Sequence, residues 1–161
     1  MFLLVAHKAR VLAFKPGPQM NNKKQYLKAP EKEDIVSAIS SHLQREHKEI
    51  AAAYLFGSFV KEEAFSDIDL GVLMNIELER SLEYELELES RLERLFKYPV
   101  DVRIINSAPL SFCQNVIRHG RVIVDRDPNL RADFEGQILK QYFDFAPFRR
   151  RYLAEVKNAP V

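Results

Sequence analysis

Ile35, Ile39 and Leu43 recur at helical spacing behind Pro30, Glu31 and Glu33. Proline is tolerated in a first helical turn and acids are favoured there, so the pattern predicts an amphipathic helix over 31–47. Ile50 to Phe56 (IAAAYLF) is an unbroken apolar run closed by Gly57-Ser58, and reads as a buried strand. Asp69 to Leu73 (DLGVL) reads as a second. Residues 77–97 place Leu78, Leu82, Leu92 and Leu95 at helical spacing among many glutamates and arginines. That predicts a long helix whose glutamates form a solvated face rather than a ligand set. After Pro99, Val100 to Ile105 (VDVRII) alternates around Asp101 and Arg103, a third strand. A short helix follows over 109–118, ending before Gly120 as a C-cap. Val122 to Val124 makes a fourth strand. Leu130, Phe134, Ile138, Leu139, Tyr142 and Phe143 then line a helix over 128–156, which Pro147 is expected to break or kink. There is no internal repeat. The order of elements predicts an α+β (or α/β-like) domain with one small mixed β-sheet flanked by helices.

The first thirty residues stand apart. Met1 to Phe14 (MFLLVAHKARVLAF) is apolar but interrupted by His7, Lys8 and Arg10. A secretory signal puts its positive charge ahead of the apolar run, so this segment does not read as one. KPGPQMNNKKQ follows, with linker composition. We expect residues 1–29 to be a weakly ordered tail, with Met20 an alternative start, and residues 30–161 to be the domain with its C-terminal helix.

Composition narrows the classes. Of 161 residues, 47% are apolar and 29% charged, which suits a globular domain of ordinary size. The 24 basic and 23 acidic side chains nearly cancel, which argues against direct nucleic-acid binding, where a basic excess supplies affinity. The lone cysteine, Cys113, leaves no internal disulfide and suits a reducing, cytoplasmic setting. No apolar stretch is long enough to span a membrane.

The chemistry gathers between Leu55 and Leu73: LFGSFVKEEAFSDIDLGVL. Gly57-Ser58 ends one strand, eight residues intervene, and Asp67-Ile68-Asp69 opens the next. Residues two apart on a strand share a face, so Asp67 and Asp69 present two carboxylates together. Like charges this close repel unless a cation lies between them. Magnesium takes such an all-oxygen set and shares it with substrate phosphates. Gly57 leaves its backbone open to a phosphate, Ser58 offers a hydroxyl, and a helix starting at Phe59 would add free N–H groups. Asp101 is a lone acid in an apolar strand. Set beside 69–73, it would complete a carboxylate triad able to hold two metal ions or to act as a general base.

GSFVKEEAFSDIDLGV, with VDVRI after the intervening helix, resembles the minimal nucleotidyltransferases of the polymerase-beta superfamily. It is similar in particular to the MNT antitoxins that pair with HEPN-domain toxins. The resemblance covers roughly residues 31–150, though its loop of eight, Phe59 to Ser66, is shorter than is usual in the family. It implies a polymerase-beta-like fold, magnesium (two ions), and ATP as the substrate. It implies transfer of AMP onto a hydroxyl, in the toxin-pairing branch a tyrosine of a HEPN ribonuclease. By the same resemblance, Gly57 and Ser58 bind the nucleotide, and Asp67, Asp69 and Asp101 are the catalytic, metal-binding acids.

Two other readings compete: transfer of a nucleotide to a small molecule, and a non-catalytic module that silences its partner by contact. His7, His42, His47 and His119 read as surface histidines, with only His42 and His47 close in sequence. Cys113 reads as packed beside Phe112. Arg149, Arg150 and Arg151 read as a solvated basic cluster.

Overall fold

The computed structural model describes residues 24–62 and 64–158. Strand β1 (Gln25–Tyr26) leads into helix α1 (Ala29–Glu46), and β2 (Ile50–Phe56) follows. A single helical turn, α2 (Ser58–Lys61), and a two-residue strand, β3 (Ala64–Phe65), separate β2 from β4 (Ile68–Met74). Then come α3 (Ser81–Phe96), β5 (Val100–Ile104), α4 (Leu110–His119), β6 (Arg121–Asp125) and α5 (Pro128–Asn158).

The main sheet runs β5–β4–β2–β6. Strand β2 is antiparallel to both its neighbours, while β5 lies parallel to β4 and reaches it through the α3 crossover. Helices cover both faces, which is why IAAAYLF needs no polar alternation. On one face Ile35, Ile39 and Leu43 of α1 and Leu88 and Leu92 of α3 meet Leu55, Leu70 and Val102. On the other, Val116 of α4 with Leu130, Phe134 and Ile138 of α5 packs on Tyr54, Phe56 and Leu73. Each fully buried Leu or Ile contributes about 1.5–3 kcal/mol. Cys113 is buried in this second layer, as its sequence context suggests.

Side chains reach both sheet edges. Glu93, Glu89 and Glu85 of α3 accept the outward N–H groups of Val100, Val102 and Ile104 at 3.2, 2.9 and 2.7 Å. Four residues of helix advance about 6 Å and two residues of strand about 6.6 Å, so the two rows match. At β6, Ser40 Oγ donates to the Ile123 carbonyl at 2.6 Å. Edge strands left open invite pairing with other chains, and the glutamate row removes that liability along β5. The expectation of a solvated glutamate face is therefore corrected at Glu85 and Glu89, which are only partly exposed, while Glu93 stays exposed as it bonds.

Other differences have local causes. Helix α3 begins at Ser81 rather than 77, because Leu78 turns inward against the core ahead of it. Helix α5 is not broken at Pro147 but runs through it. The carbonyl that loses its partner there belongs to Phe143, which is exposed to solvent. Residues 1–23, most of the expected tail, lie outside the described residues. Its last residues do form structure: Gln25 and Tyr26 pair with Phe65 and Ala64, and Leu27 packs partly on the core.

Candidate active site

The end of β2 and the starts of β4 and β5 meet at one end of the sheet. Phe56 is opposite Asp69 across the antiparallel pair, and Asp69 is in register with Asp101 across the parallel one. Neighbouring strands lie about 4.8 Å apart, so the Asp69 and Asp101 side chains leave adjacent strands side by side. The Ile68 N–H donates to the Pro99 carbonyl at 2.9 Å, pinning the start of β4 to the residue before β5. Asp67 lies in the bend just ahead of β4, one residue short of the strand.

Gly57 turns the chain out of β2 with φ 73° and ψ −158°, and caps α2. That conformation belongs almost entirely to glycine. Space demands glycine as well, since a methyl group built on Gly57 would overlap the carboxylate of Asp69. The phosphate-turn candidate and the second acid are thus in direct contact. Ser58 opens the single turn behind it. Lys32 of α1 donates from Nζ to the Phe59 carbonyl at 2.8 Å and to the Glu62 carbonyl, and lies over the Phe59 and Phe65 rings. It anchors this short turn, which is too brief to hold itself.

Burial, then the charges of Asp67 and Asp101, pushes Asp69 up to about 6. Three carboxylates therefore repel one another where two strands begin, which is the electrostatic setting a divalent cation relieves. Asp101 is engaged from the side: Arg103 Nε lies 3.4 Å from its carboxylate, while Arg103 Nη1 lies 3.7 Å from Glu85. Glu89 is its other neighbour. Burial pushes Glu89 up and the charge of Asp101 adds to it, against the Val102 N–H that holds it down. Among the described residues, no three His, Cys, Asp or Glu side chains stand ready-made as a metal group. The acids fit magnesium in the manner of a site that shares its cation with substrate phosphates.

All five residues singled out from the sequence thus lie at this end of the sheet. Sequence reasoning missed Lys32, Arg103 and Glu89, whose roles arise only once α1 and α3 pack beside the turn and the edge strand. A row of glutamates four apart, facing a strand of alternating burial, was the available signal for Glu89.

A mixed sheet with acids at the starts of adjacent strands, beside a glycine turn, defines a nucleotidyl-transfer scaffold. Residues 37–129 match the family described as Polymerase beta, Nucleotidyltransferase, and the chain belongs to that family. It is 33% identical over 88 residues to the protein adenylyltransferase MntA of Thermococcus cleftensis (strain DSM 27260 / KACC 17922 / CL1), covering 53% of this chain and 89% of that one. Its fold resembles a chain of the complex of tri-AMPylated Shewanella oneidensis HEPN toxin with MNT antitoxin. That match has a TM-score of 0.64 at 23% identity, covering 78% of this chain and 98% of the other. A chain of a toxin–antitoxin structure with AMP-PNP matches at TM-score 0.64 and 23% identity, covering 76% and 98%. The mixed sheet expected from the sequence is the polymerase-beta-like fold. No helix among the described residues is long and apolar enough to cross a membrane.

Proposed function

We propose that this chain transfers AMP from ATP to a tyrosine hydroxyl of a partner HEPN ribonuclease toxin, and so acts as its antitoxin in the cytoplasm. The observation that carries the reading is the contact of the Gly57 turn with Asp69, in register with Asp101. The MntA relative and the toxin–antitoxin likenesses support the acceptor class.

Asp67 and Asp69 would hold magnesium, with Asp101 as the third acid. Bound there, the ion would offset phosphate charge and polarise the phosphoryl oxygens. The bare Gly57 backbone lets the phosphates approach, and the Ser58 hydroxyl donates to them. Asp101, half-exposed on the edge strand, takes the proton of the incoming hydroxyl. The acceptor oxygen bonds to the α-phosphorus as the bond to the bridging oxygen breaks, and pyrophosphate leaves. A tyrosine suits this base, because its phenol, with a pKa of about 10, is the most acidic of the protein hydroxyls.

The test is mass spectrometry of the HEPN protein after co-expression with wild type and with Asp67→Asn. We expect an AMP mass increment on a tyrosine with wild type alone, and silencing at well below equimolar amounts. A partner silenced without added mass in both samples would instead establish masking by contact.

A further inference from the structure

At the opposite end of β2 from the acids, two histidines meet beneath the end of α1. His47, the C-cap of α1, is 7% exposed. Its ring centre lies 5.6 Å from that of His42, tilted by 60°. The Nε2 atoms of both rings are buried and have no hydrogen-bond partner. Buried polar atoms almost always find a partner, so two unpartnered ones on neighbouring rings call for a shared explanation.

The tautomer of His47 follows from its other nitrogen. Nδ1 lies 3.0 Å from both Glu49 Oε1 and the Tyr84 hydroxyl oxygen, and the Tyr84 proton is itself given to Glu49. Nδ1 thus faces only acceptors and carries the hydrogen, which leaves Nε2 as a bare lone pair in the neutral ring. Against the cost of burial, the Tyr84 hydroxyl, Glu49's own amide and His47 hold the Glu49 carboxyl low, so it is ionised. A carboxylate behind the ring, orienting it and raising its basicity, is the arrangement that supports metal-binding histidines.

We propose that His42 and His47 form a second metal site, for a borderline transition ion such as zinc, in which both Nε2 atoms are ligands. Zinc about 2.0–2.1 Å from each nitrogen in tetrahedral geometry would hold the two ring centres about 5 Å apart. Imidazole nitrogens favour zinc, copper or nickel, whereas the carboxylates at the other end favour magnesium. Strand β2, seven residues long, separates the two sites by roughly 20 Å. Glu46 is the nearest further donor. Its carboxylate is paired with Arg45 at 2.9 Å. Water and Glu46, rotated off Arg45, would complete the shell. Arg91, which lines the neighbouring cavity of about 140 Å³, is paired at the surface with Glu87 at 3.2 Å.

Calorimetric titration of the full chain with zinc tests this, in an Asp67→Asn/Asp69→Asn background that removes the acidic site. One zinc per chain should bind, and His42→Ala should weaken binding at least tenfold. Because His47 is a packed residue, His42→Gln, which keeps the bulk of the side chain, serves as the second variant and should lose binding equally. Cobalt substitution should give the intense visible bands of a tetrahedral site, absent in both variants. No zinc uptake in the acid-free background would overturn the proposal, as would affinity unchanged by both His42 substitutions.

Discussion

Gly57 lies directly against the carboxylate of Asp69, so the turn that would receive phosphate and the acid that would hold its counter-ion are a single packed unit. The contact predicts a coupled response to mutation. Gly57→Ala adds a methyl in a backbone region nearly closed to other residues, costing about 1–3 kcal/mol, and pushes on Asp69 besides. We expect a clear fall in melting temperature together with loss of nucleotidyl transfer. Adding Asp69→Ala to Gly57→Ala should restore the part due to overlap, a coupling of about 1 kcal/mol or more between touching residues, and leave activity absent. Strict additivity of the two stability changes would show that the residues do not meet.

Asp69 makes stability depend on pH. Its folded-state pKa of about 6 lies above the ordinary carboxylate value, so the native protein keeps a proton the unfolded chain has released. Stability therefore falls as pH rises from about 4 to about 6, and the penalty is complete above that. Asp69→Asn should stabilise the metal-free protein at pH 8 by about 1–2 kcal/mol, once screening at this half-buried site is allowed for. At pH 4 the gain should vanish. Magnesium should raise the melting temperature of wild type at pH 8 and leave Asp69→Asn unmoved. An equal gain at both pH values would refute this account.

Glu85 seals the sheet edge through the Ile104 N–H at 2.7 Å. Glu85→Ala would leave that amide without its partner beneath α3, at a cost of about 1–3 kcal/mol. Glu85→Gln keeps an acceptor and should recover most of it. Amide exchange at Ile104 reports the change directly: it should accelerate in the alanine variant and stay slow in the glutamine one. Unchanged exchange in Glu85→Ala would mean the edge is closed by something else.

The apolar runs at 50–56 and 69–73 and the helical stripes made most of the fold legible, because burial on both faces of a sheet leaves an unmistakable pattern. The acids were legible for a related reason, since charge at the start of an apolar strand needs a purpose. What stayed hidden depends on tertiary approach. Strands of two residues, Gln25–Tyr26 and Ala64–Phe65, are too short to show alternation. Helix α2 exists as one turn because Lys32 reaches it from another helix. His42 and His47 looked like surface residues because nothing local reports that α3 brings Tyr84 against His47.

Asp101 should separate from the other two acids in its kinetic signature. Its side chain is 45% exposed on the edge strand and braced by Arg103, open to an arriving hydroxyl, whereas Asp69 sits deeper against the glycine turn. A base that acts on the acceptor affects the chemical step and leaves nucleotide affinity largely alone. Asp101→Asn should therefore slow single-turnover AMP transfer by about a hundredfold or more while ATP still binds with magnesium. Asp67→Asn and Asp69→Asn should lose both. Arg103→Ala should show a milder version of the Asp101 defect, partly restored in Arg103→Lys, because it orients the carboxylate without reacting. If Asp101→Asn weakens ATP binding as severely as Asp69→Asn does, Asp101 is chiefly a ligand for the cation, and proton removal from the acceptor falls to another group.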